Sequence, residues 1–264
     1  MSDLDAHLSL TPLGPGHLQA QAPEGWQQGR GLFGGLVLAL LTRAAATLAE
    51  PDRPLRSLTA VLCGPTQPGP ADIFVEALRV GHGVTTVAAR LVQAGEVQAH
   101  ATVVFARTRA SAAELKWCEL APPTPPPWRE VPTIAPEGGP VFAQHIEFRP
   151  VRAPFFGGGA ESGAEGWVRF KQPPSVRDGA FLAMLCDLWW PSVFARLPGP
   201  RPMATLAFTM QVVGDPGRID PELPVYHRGR APVCGDGYAI DMREIWSATG
   251  ELLALNQQTF AVIR

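Results

Sequence analysis

The N-terminal half of the chain opens with one helix-like run and continues with short strand-like segments. The helix-like run follows Gly34-Gly35, is rich in leucine and alanine over Leu36–Leu48, and stops before Pro51. Its length and composition predict a buried helix. Apolar and β-branched segments separated by glycine and proline then predict strands. These segments are Leu58–Leu62, Ile73–Leu78, Val84–Val92 and Val97–Phe105.

The C-terminal half shows the same kind of pattern. Asp178 precedes a second apolar run, Ala180–Trp190, which predicts a helix with Asp178 as its N-cap and Pro191 at its end. Strand-like segments lie on both sides of this helix. They are Val141–Phe148, Trp167–Phe170, Ala204–Val213, Tyr238–Trp246 and Leu252–Ile263. A helix combined with antiparallel strands in each half predicts an α+β fold.

A proline-rich stretch separates the two halves. Its centre at 122–127 has the sequence PPTPPP, which favours extended polyproline II structure and cannot join a central strand. We therefore expect an N-terminal unit at 1–108, a linker at 109–140 and a C-terminal unit at 141–264.

Matching residues indicate that the two halves are copies of one unit, because turns and core positions recur in the same order. The aligned segments are Gly35–Leu41 with Gly179–Leu185, Arg53-Pro54-Leu55 with Arg201-Pro202-Met203, and Gly83–Leu91 with Gly237–Ile245. Three positions change character between the copies. The pairs are Arg43 with Asp187, Ser57 with Thr205, and Val103 with Gln258.

Asp187 is the most unusual of these residues, because it lies within the apolar run of the second predicted helix. A buried carboxylate is costly without a partner, and burial raises its pKa, which suits a general base. A position on the solvent-facing side of the helix, or a bond to a nearby backbone amide, explains Asp187 equally well.

Composition and charge narrow the function classes. The 22 Lys and Arg residues nearly balance the 24 Asp and Glu residues, so charge gives no reason to expect nucleic acid or an anionic membrane as partner. No apolar run approaches the ~18 residues of a membrane-spanning helix. The acidic start, Met1–Asp5, lacks a signal-peptide pattern, and the four cysteines lack zinc-site spacing. We expect a cytoplasmic protein without a metal or cofactor.

Common catalytic motifs are absent from this chain or lack the structural context that they require. Gly29–Gly34 matches the G-x-G-x-x-G pattern before a helix, but no buried strand precedes it, as a dinucleotide site requires. The chain has no G-x-S-x-G motif, which disfavours an α/β-hydrolase. Its six histidines are scattered, without a pair at metal-ligand spacing.

The sequence resembles the acyl-CoA thioesterase II (TesB-like) family over most of its length, except for the proline-rich connector. The resemblance is carried by Leu32-Phe33-Gly34-Gly35, Asp187-Leu188, Ala204-Thr205-Leu206 and the LALNQQ segment at 253–258. It implies a double hot-dog fold, with two units that each wrap an antiparallel sheet around a long helix. It also implies hydrolysis of an acyl-CoA thioester to free acid and CoA, and assembly into homo-oligomers.

The resemblance assigns roles to the three polar positions of the C-terminal copy. In that family an Asp on the second helix, a Thr on the following strand and a Gln on the last strand hold the hydrolytic water. These residues map to Asp187, Thr205 and Gln258. Gly34 and Gly35 are candidates for stabilising the oxyanion, because backbone N–H groups at a helix start are unpaired. Close helix-on-sheet packing explains the two glycines equally well.

The chain departs from the family pattern in two places. Ala207-Phe208 replaces an Asp-His pair, and Cys63-Gly64-Pro65 replaces a segment that tends to contain arginine. Two alternatives therefore stay open. One is a binding module for acyl-CoA or acyl-carrier protein that does not hydrolyse its ligand. The other is a hot-dog hydratase, which would normally use a histidine beside its carboxylate.

Overall fold

The computed structural model describes residues 3–110, 115, 117–134, 138–152, 156–220 and 222–263. Residues 111–114, 116 and 135–137 of the expected linker lie outside this part of the chain, as do residues 1, 2 and 264. The division into 1–108, 109–140 and 141–264 stays a prediction. Among the described residues, no helix combines the length and apolar character needed to cross a membrane.

The N-terminal half contains two helices, a short sheet and a series of longer strands in its described residues. The helices are α1 (Asp3–His7) and α2 (Gly34–Ala46). The strands are β1 (Leu10–Gly14), β2 (His17–Ala22), β3 (Gln27–Gln28), β4 (Gly31–Leu32), β5 (Leu55–Leu62), β6 (Gly69–Val80), β7 (Val84–Gln93) and β8 (Glu96–Ala106).

The C-terminal half contains one α-helix, α3 (Gly179–Asp187), among its described residues. Short 3-10 helices occur at Val141–His145, Ser192–Arg196 and Pro216–Arg218. The strands are β9 (Ile146–Pro150), β10 (Ala164–Phe170), β11 (Met203–Val212), β12 (Val225–Gly235), β13 (Tyr238–Trp246) and β14 (Leu252–Val262).

Both predicted helices are present, and the predicted cap of α3 is confirmed. The Asp178 side chain accepts a hydrogen bond from the backbone N–H of Phe181 at 3.0 Å. The helix ends at Asp187, three residues short of the predicted Trp190. Pro191 explains this early end, because a proline disfavours helical conformation in the residue before it.

One strand prediction needs correction, and some strands were not predicted. The segment Val141–Phe148 begins as a 3-10 helix and becomes a strand only at Ile146. Phe142 and Ala143 are both buried, and consecutive buried residues do not fit the alternation of a half-buried strand. Strand β12 was not predicted, since arginine and glycine at 228–230 interrupt its apolar pattern. Strands β1 and β2 were also not predicted, since proline and glycine at 12–16 interrupt their apolar pattern.

Twelve strands of the described chain form one antiparallel sheet. Its order is β1-β2-β6-β7-β8-β5-β11-β14-β13-β12-β10-β9. The order β2-β6-β7-β8-β5 recurs in reverse as β11-β14-β13-β12-β10, and the two halves meet where β5 pairs with β11. Each half therefore contributes an equivalent set of strands, as the internal repeat predicts.

Each long helix packs on the strands of its own half. Helix α2 contacts β6, β7 and β8, whereas α3 contacts β11, β13 and β14. The two helices also contact each other, and an added Cβ at Gly35 would lie 3.1 Å from Cα of Met184. Because sheet and partner helix surround them, Gly34–Thr42 and Ala180–Asp187 are buried throughout.

Strand register corrects one detail of the repeat alignment. Leu55 lies opposite Phe105 on β8, and Thr205 lies opposite Phe260 on β14. Since these two phenylalanines are equivalent, the counterpart of Thr205 is Leu55 and not Ser57. Each strand has an irregularity directly after this position, so alignment on the Arg-Pro dipeptides is displaced by two residues.

Candidate active site at the junction of the two helices

Asp187 is the last residue of α3 and is only 7% exposed. Burial raises the pKa of its carboxyl group to about 6, and the nearby Arg243 guanidinium opposes part of this rise. Asp187 therefore lies inside the protein and not on a solvent-facing side of the helix. Its pKa suits a group that accepts a proton near neutral pH.

Two polar groups lower the pKa of the Asp187 carboxyl group against the effect of burial. They are the backbone N–H of Gly35 and the amide side chain of Gln258, which lie against the carboxylate and favour its ionised form. Gly34 also lies close, since an added Cβ there would stand 2.8 Å from Oδ2 of Asp187. The structure thus brings four of the predicted site residues together where α2 begins and α3 ends.

Gln258 is fully buried on β14, and its amide orientation is set by its neighbours. Its Nε2 donates to Oδ1 of Asn256 at 3.0 Å and to the carbonyl of Cys186 at 3.4 Å. Its Oε1 has no hydrogen-bond partner among the described residues. A buried acceptor of this kind is suited to a polar atom of a ligand or a water molecule.

Thr205 lies on β11 and lines two adjoining cavities. The helix-start cavity has a volume of about 350 Å³ and includes Gly34, Leu62 and Thr205 in its wall. The aromatic cavity has a volume of about 290 Å³ and adjoins it at residues common to both walls. Those common residues are Gln28, Gly29, Pro202, Met203 and Thr205. Thr205 thus faces the cavity that the start of α2 also lines.

The aromatic cavity is enclosed mainly by apolar side chains. Its aromatic lining residues are Phe142, Phe148, Trp189, Trp190, Phe194 and Phe260. The paired tryptophans follow Asp187 after one residue, Leu188, so the same segment supplies both the buried carboxylate and one cavity wall. A cavity of this composition fits an apolar group attached to a polar reacting centre.

Replacing Gly34 with Ala tests the close approach of α2 to Asp187. The new methyl group would lie 2.8 Å from Oδ2 of Asp187 and 3.2 Å from Cδ1 of Leu62, so the carboxylate must move. We expect kcat of the reaction catalysed at this site to fall by about 10- to 100-fold, because small misplacements of reacting groups are costly. Gly235→Ala is the matched control, since no atom lies within 4 Å of its added Cβ. Equal kcat values for the two variants would contradict this role of Gly34.

A buried ion pair near Asp187 was not predicted from the sequence. Arg243 and Asp241 lie on β13 with side chains 1% exposed, and Nη2 of Arg243 is 3.0 Å from Oδ2 of Asp241. Nη1 of Arg243 also donates to the carbonyl of Cys186 at 3.0 Å, which ties β13 to the end of α3. The signal was present in the alternation of β13, where both residues share a face with buried Ala239 and Ile245.

Register shows that this polarity belongs to the C-terminal copy alone. Asp241 lies opposite Gln258 on β14, just as Val87 lies opposite Val103 on β8. Arg243 lies opposite Asn256, just as Ala89 lies opposite Ala101. The N-terminal copy thus fills these positions with apolar residues, and the polar site was built on one side of a duplicated core.

Histidine is absent from the described walls of both cavities. His227 stacks on the cavity-lining Trp189 with ring centroids 5.2 Å apart, but it is fully buried. Burial lowers its pKa well below the usual range, so the ring stays neutral. In the part of the chain that the structure describes, no His, Cys, Asp and Glu side chains cluster as metal ligands.

Two family models match the chain. The model described as acyl-CoA thioesterase N-terminal domain matches residues 22–106, and that described as acyl-CoA thioesterase C-terminal domain matches residues 118–262. The chain belongs to the acyl-CoA thioesterase family. In this thioesterase-family chain the N-terminal match contains Gly34 and Gly35, whereas the C-terminal match contains Asp187, Thr205 and Gln258.

Solved structures place the chain in the hot-dog fold class. A conserved protein of unknown function with hot-dog fold from Alicyclobacillus acidocaldarius is 27% identical, with a TM-score of 0.92 over 100% of this chain and 99% of that one. The acyl-CoA thioesterase II TesB2 from Mycobacterium marinum is 20% identical, with a TM-score of 0.78 over 98% of both chains. The predicted tandem hot-dog fold is confirmed.

A third structure shows that the fold alone does not select the reaction. The dehydratase domain of PpsC from Mycobacterium tuberculosis is 16% identical, with a TM-score of 0.54 over 98% of this chain and 99% of that one. None of the curated proteins searched matches this thioesterase-family chain. The reaction must therefore be argued from the site itself.

Proposed function

We propose that this protein is an acyl-CoA thioesterase that hydrolyses its substrate to a free acid and CoA. The observation that carries the proposal is the buried carboxylate of Asp187, which lies beside Gln258 and the backbone N–H of Gly35 where α2 begins. Its elevated pKa, the unpaired acceptor of Gln258 and the adjoining cavities supply the elements that hydrolysis requires.

Asp187 acts as the general base in this proposal. It accepts a proton from water while the water oxygen attacks the thioester carbonyl carbon. Thr205 and Oε1 of Gln258 hold that water, which lowers the entropic cost of the attack. The tetrahedral intermediate then collapses, the C–S bond breaks, and the CoA sulfur receives the proton from Asp187. The products are a carboxylic acid and a free thiol.

The start of α2 stabilises the negative charge on the carbonyl oxygen. The N–H of Gly34 is among the first four of the helix, which lack intrahelical acceptors, and the helix dipole favours an anion there. Gly35 directs its N–H to the base Asp187, and the N–H of Gly34 is left to bind the oxyanion. The absence of side chains allows both close approaches.

The two cavities divide the substrate between them. The acyl group enters the aromatic cavity, whereas the CoA arm leaves through the helix-start cavity, and the thioester lies at Thr205 between them. Because no histidine lines either cavity within the described residues, a hydratase is disfavoured. A cytoplasmic location and homo-oligomeric assembly stay predictions of the sequence and family.

Release of free thiol from acyl-CoAs of graded chain length tests the proposal. We expect steady turnover and a preference for chains that fill the aromatic cavity. Tight binding of every acyl-CoA without thiol release would instead identify a non-hydrolytic binding module. Product carrying an added hydroxyl on an intact thioester would identify a hydratase.

Activity is expected to depend on pH through Asp187. The base works only as the carboxylate, and its pKa lies at about 6. As the pH falls below this value, kcat should drop by about tenfold per unit, since the active fraction falls in proportion. Above it, kcat should reach a plateau. A profile that stays flat from pH 7 to pH 5 would contradict Asp187 as the base.

A further inference from the structure

The N-terminal copy retains a cavity at the position equivalent to the candidate active site. This pseudo-site has a volume of about 480 Å³ and lies between the end of α2, the start of β5 and the start of α3. Arg43 occupies the place of Asp187 in it, Leu55 that of Thr205 and Gly179 that of Gly35. Duplication has thus left a second cavity in which a cation replaces the carboxylate.

Arg43 and Arg177 line the pseudo-site with unused hydrogen-bond donors. Arg43 places Nε 3.3 Å from Oδ2 of Asp178, yet its Nε and Nη2 atoms have no hydrogen-bond partner among the described residues. Arg177 makes no hydrogen bond or ion pair within that same part of the chain, and its Nε is buried. Buried guanidinium donors without acceptors are costly unless a ligand supplies the acceptors.

The other two arginines of the pseudo-site each donate a hydrogen bond to the protein, although Nε of Arg53 has no partner among the described residues. Arg53 donates to Oγ1 of Thr85 at 2.6 Å, and Arg56 donates to the carbonyl of Ala106 at 3.2 Å. The charged lining residues are Arg43, Arg53, Arg56 and Arg177 against Glu50, Asp178 and Asp215. One positive charge is left unbalanced. This excess favours a ligand with a single negative charge, and the neighbouring carboxylates would repel a dianion.

Most of the remaining wall is apolar. It includes Ala46, Leu55, Phe105, Val212, Val213 and Pro216. A small inorganic anion would leave this surface without contacts, whereas an aliphatic chain would cover it. The ligand therefore combines one anionic group with an apolar tail.

We propose that the pseudo-site binds a monocarboxylate with a short aliphatic chain, its carboxylate held by Arg43 and Arg177. The planar guanidinium group matches a carboxylate through paired N–H donors, which Asp178 leaves available on Arg43. Binding of the tail along Leu55 and Phe105 orients the ligand. The site is separate from Asp187 and does not depend on thioester hydrolysis.

Titration calorimetry with octanoate tests this site without any thioester present. We expect wild type and Arg79→Gln, an exposed arginine outside the pseudo-site, to bind octanoate equally. Arg177→Gln and Arg43→Gln/Arg177→Gln should bind at least about tenfold more weakly, since charge-assisted hydrogen bonds are lost. Arg177→Gln removes no hydrogen bond or ion pair of the described residues. Thermal melts of both variants check that they fold.

Octan-1-ol and inorganic phosphate serve as comparison probes. The alcohol should bind more weakly than octanoate, and phosphate should not compete with it. Equal octanoate affinity in wild type and both arginine variants would overturn the proposal, because the ligand would then occupy another site. Equal binding of the alcohol, displacement by phosphate, or no octanoate binding in the millimolar range would also overturn it.

Discussion

Asp187→Asn is expected to lower kcat for thioester hydrolysis by about 10²- to 10⁴-fold, the range typical for loss of a general base. The amide oxygen of asparagine can still accept the N–H of Gly35, so the geometry at the start of α2 is retained. What is lost is the ability to take a proton from water. Free-thiol release at saturating acyl-CoA measures this loss.

Stability separates this chemical loss from misfolding. Burial disfavours the charged form of Asp187, so a neutral amide at the same place removes a cost to the folded state. The thermal midpoint of Asp187→Asn should therefore equal or exceed that of wild type. Asp236→Asn, in the exposed turn between β12 and β13, is the matched control and should keep full activity. An Asp187→Asn variant with wild-type kcat would remove Asp187 from the mechanism.

The fold was predictable because residues within each segment specify its helix or hairpin, and the same pattern of segments occurs in both halves. The leucine- and alanine-rich run before Pro51 and the capped run after Asp178 each specify a buried helix. Glycine-bounded apolar segments specify the hairpins on either side. The irregular strand starts could not be predicted, since the added residue after Leu55 and after Thr205 appears only in the pairing.

The candidate site was predictable only in part. Asp187 stood out because a carboxylate within an apolar helix is rare, and the repeat gave Gln258 a nonpolar counterpart. Arg243 and Asp241 were overlooked, because charged residues on a strand are usually solvent-exposed. Which face of β13 is buried depends on its place in the middle of its half of the sheet, and this is a property of the assembled fold.

Arg243→Met is expected to lower the free energy of unfolding by about 3–5 kcal/mol, because it leaves Asp241 charged and buried without its partner. It also removes the donor that holds the Cys186 carbonyl at the end of α3. Equilibrium urea unfolding measures the loss. Arg152→Met, whose arginine pairs with Glu161 at the surface, is the control and should change stability by less than about 1 kcal/mol.

The N-terminal copy supplies the rescue experiment, since it holds Val87 and Ala89 where the C-terminal copy holds Asp241 and Arg243. Asp241→Val/Arg243→Met should recover most of the lost stability, because two apolar side chains replace the charged pair. A deficit of about 1–3 kcal/mol should persist, since the N–H of Ser192 loses its acceptor on Asp241.

The rescued double variant also separates stability from catalysis. Arg243 lowers the pKa of Asp187, so its removal should move the acid limb of the pH–rate profile to higher pH even where the fold is restored. Such a variant would fold like the N-terminal copy but work only in more alkaline solution. An unshifted acid limb would show that the ion pair serves folding alone, and a double variant as unstable as Arg243→Met would show that Asp241 is not the source of the cost.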